Sequence, residues 1–138
     1  MANIHDVCDY IIIKLKEAGD SPSVLKIQKL LYYVQAWNLA INKQPLFQGK
    51  FQAWIHGPVN REIYDRFSGN KLMYSSVCNA DCNGGQDRLT DDERIAVDDV
   101  LDVYAKFSGS QLEEMTHKED PWIKARAGIS PSQRCETE

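Results

Sequence analysis

Hydrophobic residues near the N-terminus recur with helical spacing, which predicts two successive helices. Asn3 is placed to cap the first helix, and Gly19 to end it in the left-handed conformation. Ser23 follows a turn and is placed to cap a second helix of about five turns. The predicted apolar stripes are Ile4, Val7, Cys8, Ile11, Leu15 and Ala18 in the first helix and Val24, Ile27, Leu30, Leu31, Val34, Leu39 and Ile41 in the second.

Residues 51–55 are rich in aromatic and branched side chains and predict a short strand. Gly57 and Pro58 are expected to end this strand, because the fixed backbone angle of Pro58 suits the first position of a third helix. The predicted apolar stripe of that helix is Val59, Ile63 and Phe67. The strand is expected to pair only locally, with residues 71–77, and to need packing support from the neighbouring helices.

The second half of the chain predicts an irregular segment followed by further helices. Residues 69–89 lose periodicity and gather Ser, Asn, Asp and Gly, which is typical of a flexible loop or irregular hairpin. Thr90 and Glu93 have the spacing of a capping box at the start of a fourth helix. Ser110 and Glu113 repeat that spacing and predict a short fifth helix.

The predicted fold class is mainly α: a compact single-domain helical fold of five to six helices with a minor short β-hairpin. A last helical piece is expected at Asp120 and Pro121, which can serve as cap and first-turn proline. The length of 138 residues fits one domain. We expect that domain to occupy residues 1–127 and residues 128–138 to form a flexible C-terminal tail.

The charge and hydropathy of the chain disfavour two classes of function. Sixteen Lys and Arg residues against 20 Asp and Glu residues give a net charge of −4, opposite to what binding to nucleic-acid phosphates requires. No segment approaches the roughly 20 apolar residues that a membrane-spanning helix needs. Asp6 near the N-terminus is also atypical of a signal peptide. These features predict a cytoplasmic protein.

The four cysteines do not form a recognisable metal motif or disulfide framework. Cys78 and Cys82 are separated by three residues, but structural zinc sites normally use a second close pair of Cys or His, which this chain lacks. Their spacing would also permit oxidation to each other. Cys8 and Cys135 are isolated. We therefore predict free thiols and no metal or other cofactor.

Two histidines lie close to carboxylates in the sequence and provide the only candidates for acid–base chemistry. His56 precedes Glu62 and Asp65, and His117 follows Glu113 and Glu114. Neither spacing fixes a catalytic geometry, and His117 would suit the C-terminal end of a helix. Phosphate-binding loops, nucleophile elbows and the HExxH motif are absent. The sequence thus predicts no catalytic residue and favours a protein that is not an enzyme.

Aromatic and amide side chains offer the best candidates for contacts with a partner protein. Large amphipathic residues are concentrated in the second helix and the following strand, where they can serve the core or a recognition surface. Once the aliphatic stripe is assigned to the core, the remaining partner-binding candidates are Tyr33, Gln35, Trp37, Trp54 and His56.

Several motifs together resemble a known family. The chain contains LKIQKLLYY at residues 25–33 with QAW at 35–37, then PLF at 45–47, AW at 53–54, GPV at 57–59 and Tyr64. His117, EDPW at 119–122 and AR at 125–126 complete the pattern. In combination these motifs resemble the Panacea domain, also called the SocA-like antitoxin domain, over residues 7–126.

The resemblance implies a mainly helical protein of bacterial or phage-associated origin that neutralises a cognate protein toxin by direct binding. A variant of this function is an adaptor that delivers the toxin to the ClpXP protease, with ClpX as a second partner. A small hydrolase using His56, His117 and carboxylates is the alternative from another class. A DNA-binding regulator is disfavoured, because neither a helix-turn-helix nor a basic arm is apparent.

Overall fold

A computed structural model describes residues 2–54, 57–69, 75–77 and 81–117, with backbone alone at residues 53, 54, 57 and 117. The predicted helical piece at Asp120 and Pro121 and the predicted tail at 128–138 lie outside these ranges, so both remain predictions. Within them the chain is mainly helical with a small antiparallel sheet, which confirms the predicted fold class. The elements are α1 (Ile4–Glu17), α2 (Val24–Asn42), β1 (Phe51–Trp54), β2 (Gly57–Asn60), α3 (Arg61–Ser68), a 3₁₀ helix (Gly85–Arg88), α4 (Asp91–Tyr104) and α5 (Gly109–His117).

The N-terminal caps predicted from local sequence are confirmed in α1, α2 and α4, and so is the glycine predicted to follow α1. The side chain of Asn3 accepts a hydrogen bond from the backbone of His5, and Gly19 takes a left-handed φ of 85° after α1. Ser23 Oγ accepts a bond from the backbone N–H of Lys26 at 3.1 Å. Thr90 and Glu93 form the complete capping box. These caps satisfy backbone groups that helix ends would otherwise leave unpaired.

The sheet differs from the prediction, because Gly57 and Pro58 continue it rather than ending it. β1 pairs with β2 in antiparallel register, with Phe51 opposite Asn60. In a two-stranded sheet each strand has an unpaired edge, where a proline without an N–H is tolerated. Residues 75–77 bond instead to the segment before α2, since the N–H of Val77 donates to Pro22 O at 2.8 Å.

The third helix consequently begins at Arg61 and not at Pro58. Asn60 caps it, and its Oδ1 accepts a hydrogen bond from the N–H of Ile63 at 3.0 Å. Val59 is buried as predicted, but it belongs to β2 and not to the helical stripe with Ile63 and Phe67. An Asn cap and an adjacent strand therefore prevail over the preference of proline for a first helical turn.

The cap of α5 lies two residues before the predicted one. The N–H of Ser108 donates to Gln111 Oε1 at 2.8 Å, and the N–H of Gln111 donates back to Ser108 Oγ at 3.1 Å. Gly109 is the first residue of α5. A Cβ atom at residue 109 would lie 3.2 Å from the backbone nitrogen of Lys26, so a glycine allows the starts of α5 and α2 to approach closely.

Helix α2 occupies the centre of the domain. It packs against β2 and the other four described helices. Buried positions occur on every side of it, which is typical of a helix enclosed by its neighbours. The apolar core around it includes Ile11, Ile12, Leu30, Leu31, Phe47, Ile63, Val97 and Leu112. No helix in the described part of the chain is both long and apolar enough to cross a membrane.

Part of the segment predicted to be a flexible loop is held against α1 by a buried carboxylate. Asp9, only 1% exposed, accepts hydrogen bonds from the backbone N–H groups of Asn83 at 3.1 Å and Gly85 at 3.0 Å. Arg66 of α3 forms an ion pair with the same carboxylate and donates to Asp81 O at 2.8 Å. Asp9 thus joins α1, α3 and the 3₁₀ helix, and its charge is compensated within the protein.

Replacing Gly85 with Ala is expected to destabilise the fold, because the new Cβ would lie 2.9 Å from the Cα of Asp6. Separating α1 from the 3₁₀ helix should lower the free energy of unfolding by roughly 1–3 kcal/mol, measured by urea denaturation. Gly69→Ala is the matched control, since its Cβ would meet no atom within 4 Å and its φ is −71°. Equal stabilities of the two variants would contradict this close contact.

Candidate partner-binding surface

Two glutamines of α2 hold the segment that carries the sheet. The side-chain amide of Gln28 donates to Asn60 O at 3.0 Å, and its Oε1 accepts from the N–H of Asn60 at 2.8 Å. Two turns later, the amide of Gln35 donates to Phe47 O at 2.8 Å and its Oε1 accepts from the N–H of Leu46 at 2.9 Å. Each glutamine thereby satisfies both a donor and an acceptor of a buried backbone.

Lys29 is a fully buried cationic side chain beneath the hairpin. Its Nζ donates to Pro58 O at 2.7 Å, and none of the residue is exposed to solvent. Burial lowers the pKa of Lys29 to about 7, partly opposed by the nearby Glu113 carboxylate, which favours the charged form. The GPV segment is therefore attached to α2 through an amine that changes its charge near neutral pH.

Two of the predicted partner-binding aromatics belong to a cluster with Tyr104 of α4. Tyr33 is 2% exposed and stacks on Tyr104 with ring centroids 4.1 Å apart. Trp37 is partly buried, and its Nε1 donates to the hydroxyl of Tyr104 at 3.1 Å. This cluster joins α2 to α4.

The five predicted contact residues do not form one surface among the described side chains. Gln35 is buried against residues 46 and 47, while Tyr33 and Trp37 contact α4. Trp54 is described by its backbone alone, and His56 lies outside the described residues. Contact between a partner and any of the five stays a prediction. Tyr33 and Gln35 also have internal structural roles, which motif residues commonly serve.

The described surface instead exposes aliphatic residues that the sequence interpretation assigned to the core or passed over. Ile41 and Leu39, predicted as part of the buried stripe of α2, are 64% and 45% exposed. That part of the prediction was wrong, because the end of α2 has fewer buried positions than its beginning and leaves these two side chains in contact with solvent. Ile95 of α4 is 56% exposed and Val103 is 40% exposed. Both residues lie on α4 away from its buried positions Val97, Val100 and Leu101, and this helical spacing could have indicated their exposure from the sequence.

Ile41 and Ile95 line a groove between the end of α2, residues 44–46 and α4. It has a volume of about 600 Å³ and is open to solvent on one side. We call it the α2–α4 groove, and its lining residues are Trp37, Asn38, Ile41, Asn42, Gln44, Pro45, Leu46, Asp92, Glu93, Ile95, Ala96, Asp99 and Val100. Apolar side chains and carboxylates thus share one concave surface.

The described residues contain no group of three or more His, Cys, Asp or Glu side chains arranged to hold a metal ion. Cys8 is a free thiol, Cys82 Sγ donates a hydrogen bond to Asp9 O at 3.8 Å, and Cys78 and Cys135 lie outside the described ranges. Burial raises the pKa of the Cys8 thiol to about 12, so this sulfur stays protonated and weakly nucleophilic at neutral pH. His56 and the side chain of His117, on which the hydrolase alternative depends, are outside the description.

Comparisons with known proteins agree with the sequence motifs. A family model described as antitoxin SocA-like, Panacea domain, matches residues 27–123, from the first turn of α2 to beyond α5. Antitoxin SocA of Caulobacter vibrioides (strain NA1000 / CB15N) is 32% identical over 121 residues, covering 81% of this chain and 64% of that protein. The chain therefore spans less than two thirds of that relative's length. No solved structure matches the chain.

The low pKa of Lys29 predicts that stability rises with pH above neutrality. Below a pKa of about 7 both the folded and the unfolded amine are protonated, so folding carries the full cost of burying the charge. Between about 7 and the ordinary lysine pKa of 10.5 the unfolded chain binds more protons, so raising the pH favours the folded state. From about pH 7 to about pH 8.5 the gain should be about 1–2 kcal/mol.

Lys29→Met is the control for this effect, because it preserves length and removes the titrating amine. Urea denaturation at several pH values should show a smaller gain for the variant than for the wild type. The range stays below about pH 8.5, since Cys8 and Tyr10 have pKa values raised to about 12 and begin to oppose the gain at higher pH. Parallel pH profiles would disprove the role of Lys29.

Proposed function

The chain belongs to the antitoxin SocA-like, Panacea-domain family, and on that premise we propose that it is an antitoxin that neutralises a cognate protein toxin by binding it directly. The observation that carries this proposal is the family match, which spans most of the described domain. The relative that bears the name Antitoxin SocA supports the same function. The toxin itself is not identified by this match, because a shared scaffold does not fix the partner.

The surface of the domain supports binding rather than catalysis. The α2–α4 groove presents exposed aliphatic side chains to solvent, a feature typical of protein interaction sites. The buried polar side chains Gln28, Lys29 and Gln35 each have a backbone partner that accounts for their position in the fold. We propose that the protein is not an enzyme and acts in the cytoplasm, where its toxin is made.

Delivery of the toxin to ClpXP is a variant of this binding function. The co-expression experiment described below distinguishes delivery from direct neutralisation. Direct neutralisation requires only a stable complex between the two proteins, whereas an adaptor also requires the protease. Dependence on ClpX therefore separates the two mechanisms. The hydrolase alternative depends on His56 and His117 and stays a prediction.

Co-expression with the adjacent open reading frame tests the proposed function. We expect that reading frame alone to arrest growth, and this protein to restore it. An early stop codon in the antitoxin gene is the control, since it keeps the RNA and removes the protein. Purified toxin and antitoxin should co-elute in size-exclusion chromatography.

The outcome in cells that lack ClpX separates the two mechanisms. Rescue that persists without ClpX supports direct binding, while rescue that requires ClpX supports the adaptor. A non-toxic neighbour, or a toxin that is not rescued, would overturn the antitoxin function.

A further inference from the structure

We infer that the α2–α4 groove is the docking site for a basic amphipathic helix of the toxin. This inference rests on the proposed function and adds the surface that binds and the chemistry of the segment that is bound. It is carried by three properties of the groove: an exposed aliphatic surface, carboxylates with no Lys or Arg among the described lining residues, and walls held by internal hydrogen bonds.

The aliphatic part of the groove comes from both helices. Ile41 of α2 is 64% exposed and Ile95 of α4 is 56% exposed, and both line the same concavity together with Trp37 and Pro45. Large aliphatic side chains at such exposures have little contact with their own domain. Covering them with apolar side chains of a partner would remove apolar surface from water and so favour binding.

The charge of the groove is of one sign. Asp92, Glu93 and Asp99 are among its lining residues, whereas no Lys or Arg of the described chain is. Asp92 and Asp99 are exposed, and within the described ranges neither has an ion-pair partner. These carboxylates complement Lys or Arg residues that flank the apolar positions of a bound segment. They also repel nucleic acid.

The exposed face of α4 suggests a helical occupant. Asp92, Ile95, Asp99 and Asp102 follow one another with intervals of three or four residues, so carboxylates and an aliphatic side chain lie in one row. The row extends over about 15 Å, which is close to three helical turns. Between α2 and α4 it can receive the apolar anchors of an amphipathic helix, while basic side chains on either side meet the carboxylates.

The wall formed by residues 44–46 is held in place before any partner binds. Asn38 Nδ2 donates to Gln44 O at 2.7 Å, and Asn42 Nδ2 donates to Asn38 Oδ1 at 2.7 Å. Gln35 fixes the next residues through the N–H of Leu46. A groove with ordered walls loses little conformational entropy on binding, which favours affinity.

A second copy of this chain is a poor occupant of the groove. In a symmetric dimer the same surface would contact itself, so Asp92 and Asp99 of one copy would approach those of the other. Like charges brought together in a partly desolvated interface oppose association. Charge complementarity therefore favours a basic partner over self-association.

Two pairs of variants and matched controls test the inference. Ile41→Ser with Ile95→Ser removes the apolar part of the groove, and Leu39→Ser with Val103→Ser makes the same change at exposed residues outside the lining. Asp92→Asn with Asp99→Asn removes two of the three negative charges of the groove and leaves its shape nearly unchanged. Its control is Asp65→Asn with Asp87→Asn, at exposed positions on α3 and the 3₁₀ helix. Circular dichroism and thermal unfolding should show that all four proteins remain folded.

The first measurement uses synthetic peptides and does not depend on any toxin. A fluorescent amphipathic peptide of Leu and Lys should bind the wild type, and a Leu and Glu peptide of equal length should not. We expect each groove variant to weaken binding at least about tenfold, while its control stays within about twofold. Added salt should weaken wild-type binding more than binding by the Asp→Asn groove variant. Equal binding by groove variants and controls would overturn the inference, as would preference for the acidic peptide.

The second measurement repeats the co-expression rescue with the same four proteins. If the wild type and the controls rescue growth and the groove variants do not, the groove is the toxin-binding surface. If every variant rescues, the inference fails while the antitoxin function stands. If the wild type itself fails to rescue, the proposed function fails and the toxin part of the inference fails with it. A dimer of the wild type that the groove variants abolish would assign the groove to self-association and overturn the inference.

Discussion

A helix enclosed on every side must supply polar side chains to the backbone groups that it buries, and this constraint governs the domain. The segment from Leu46 to Asn60 is mostly without helix, so its backbone groups need partners when α2 covers them. Gln28, Lys29 and Gln35 provide those partners from one helix. The motif residues therefore describe how the hairpin is attached to the central helix. Their amphipathic appearance does not require an exposed recognition surface.

The C-terminal end of α2 takes no part in holding the hairpin and instead lines the α2–α4 groove. Beyond Gln35 only Asn38 of this helix is buried, and the last residues of α2 line a groove with α4. The aromatic contacts of Tyr33 and Trp37 with Tyr104 fix α4 at that position, so the two helices form a groove of defined width. Most of α2 stabilises the domain, and its last turn adds exposed side chains to the groove. In the proposed use, the binding surface thus lies at the C-terminal end of a helix whose other turns are structural.

Local chemistry made much of the fold predictable. Asn3, Ser23 and Thr90 cap the helices as expected, because a cap requires only the few residues around it. The pairing of β1 with β2 was not predictable in this way. Asn60 at the end of β2 is held by Gln28, which is 32 residues distant in the sequence, and no local pattern indicates that contact. Periodicity also wrongly assigned Ile41 to the core, because a repeating apolar pattern does not show which of its positions other elements cover.

The carboxylate of Asp9 has a consequence for synthesis on the ribosome. Its partner Gly85 is 76 residues further along the chain, so α1 is translated long before the groups that compensate its buried charge. At 5–20 residues per second this delay is about 4–15 s. Through that interval nascent α1 lacks the backbone groups that compensate the charge of Asp9 and is open to chaperones and proteases. Helix α1 is thus made well before the groups that complete its environment.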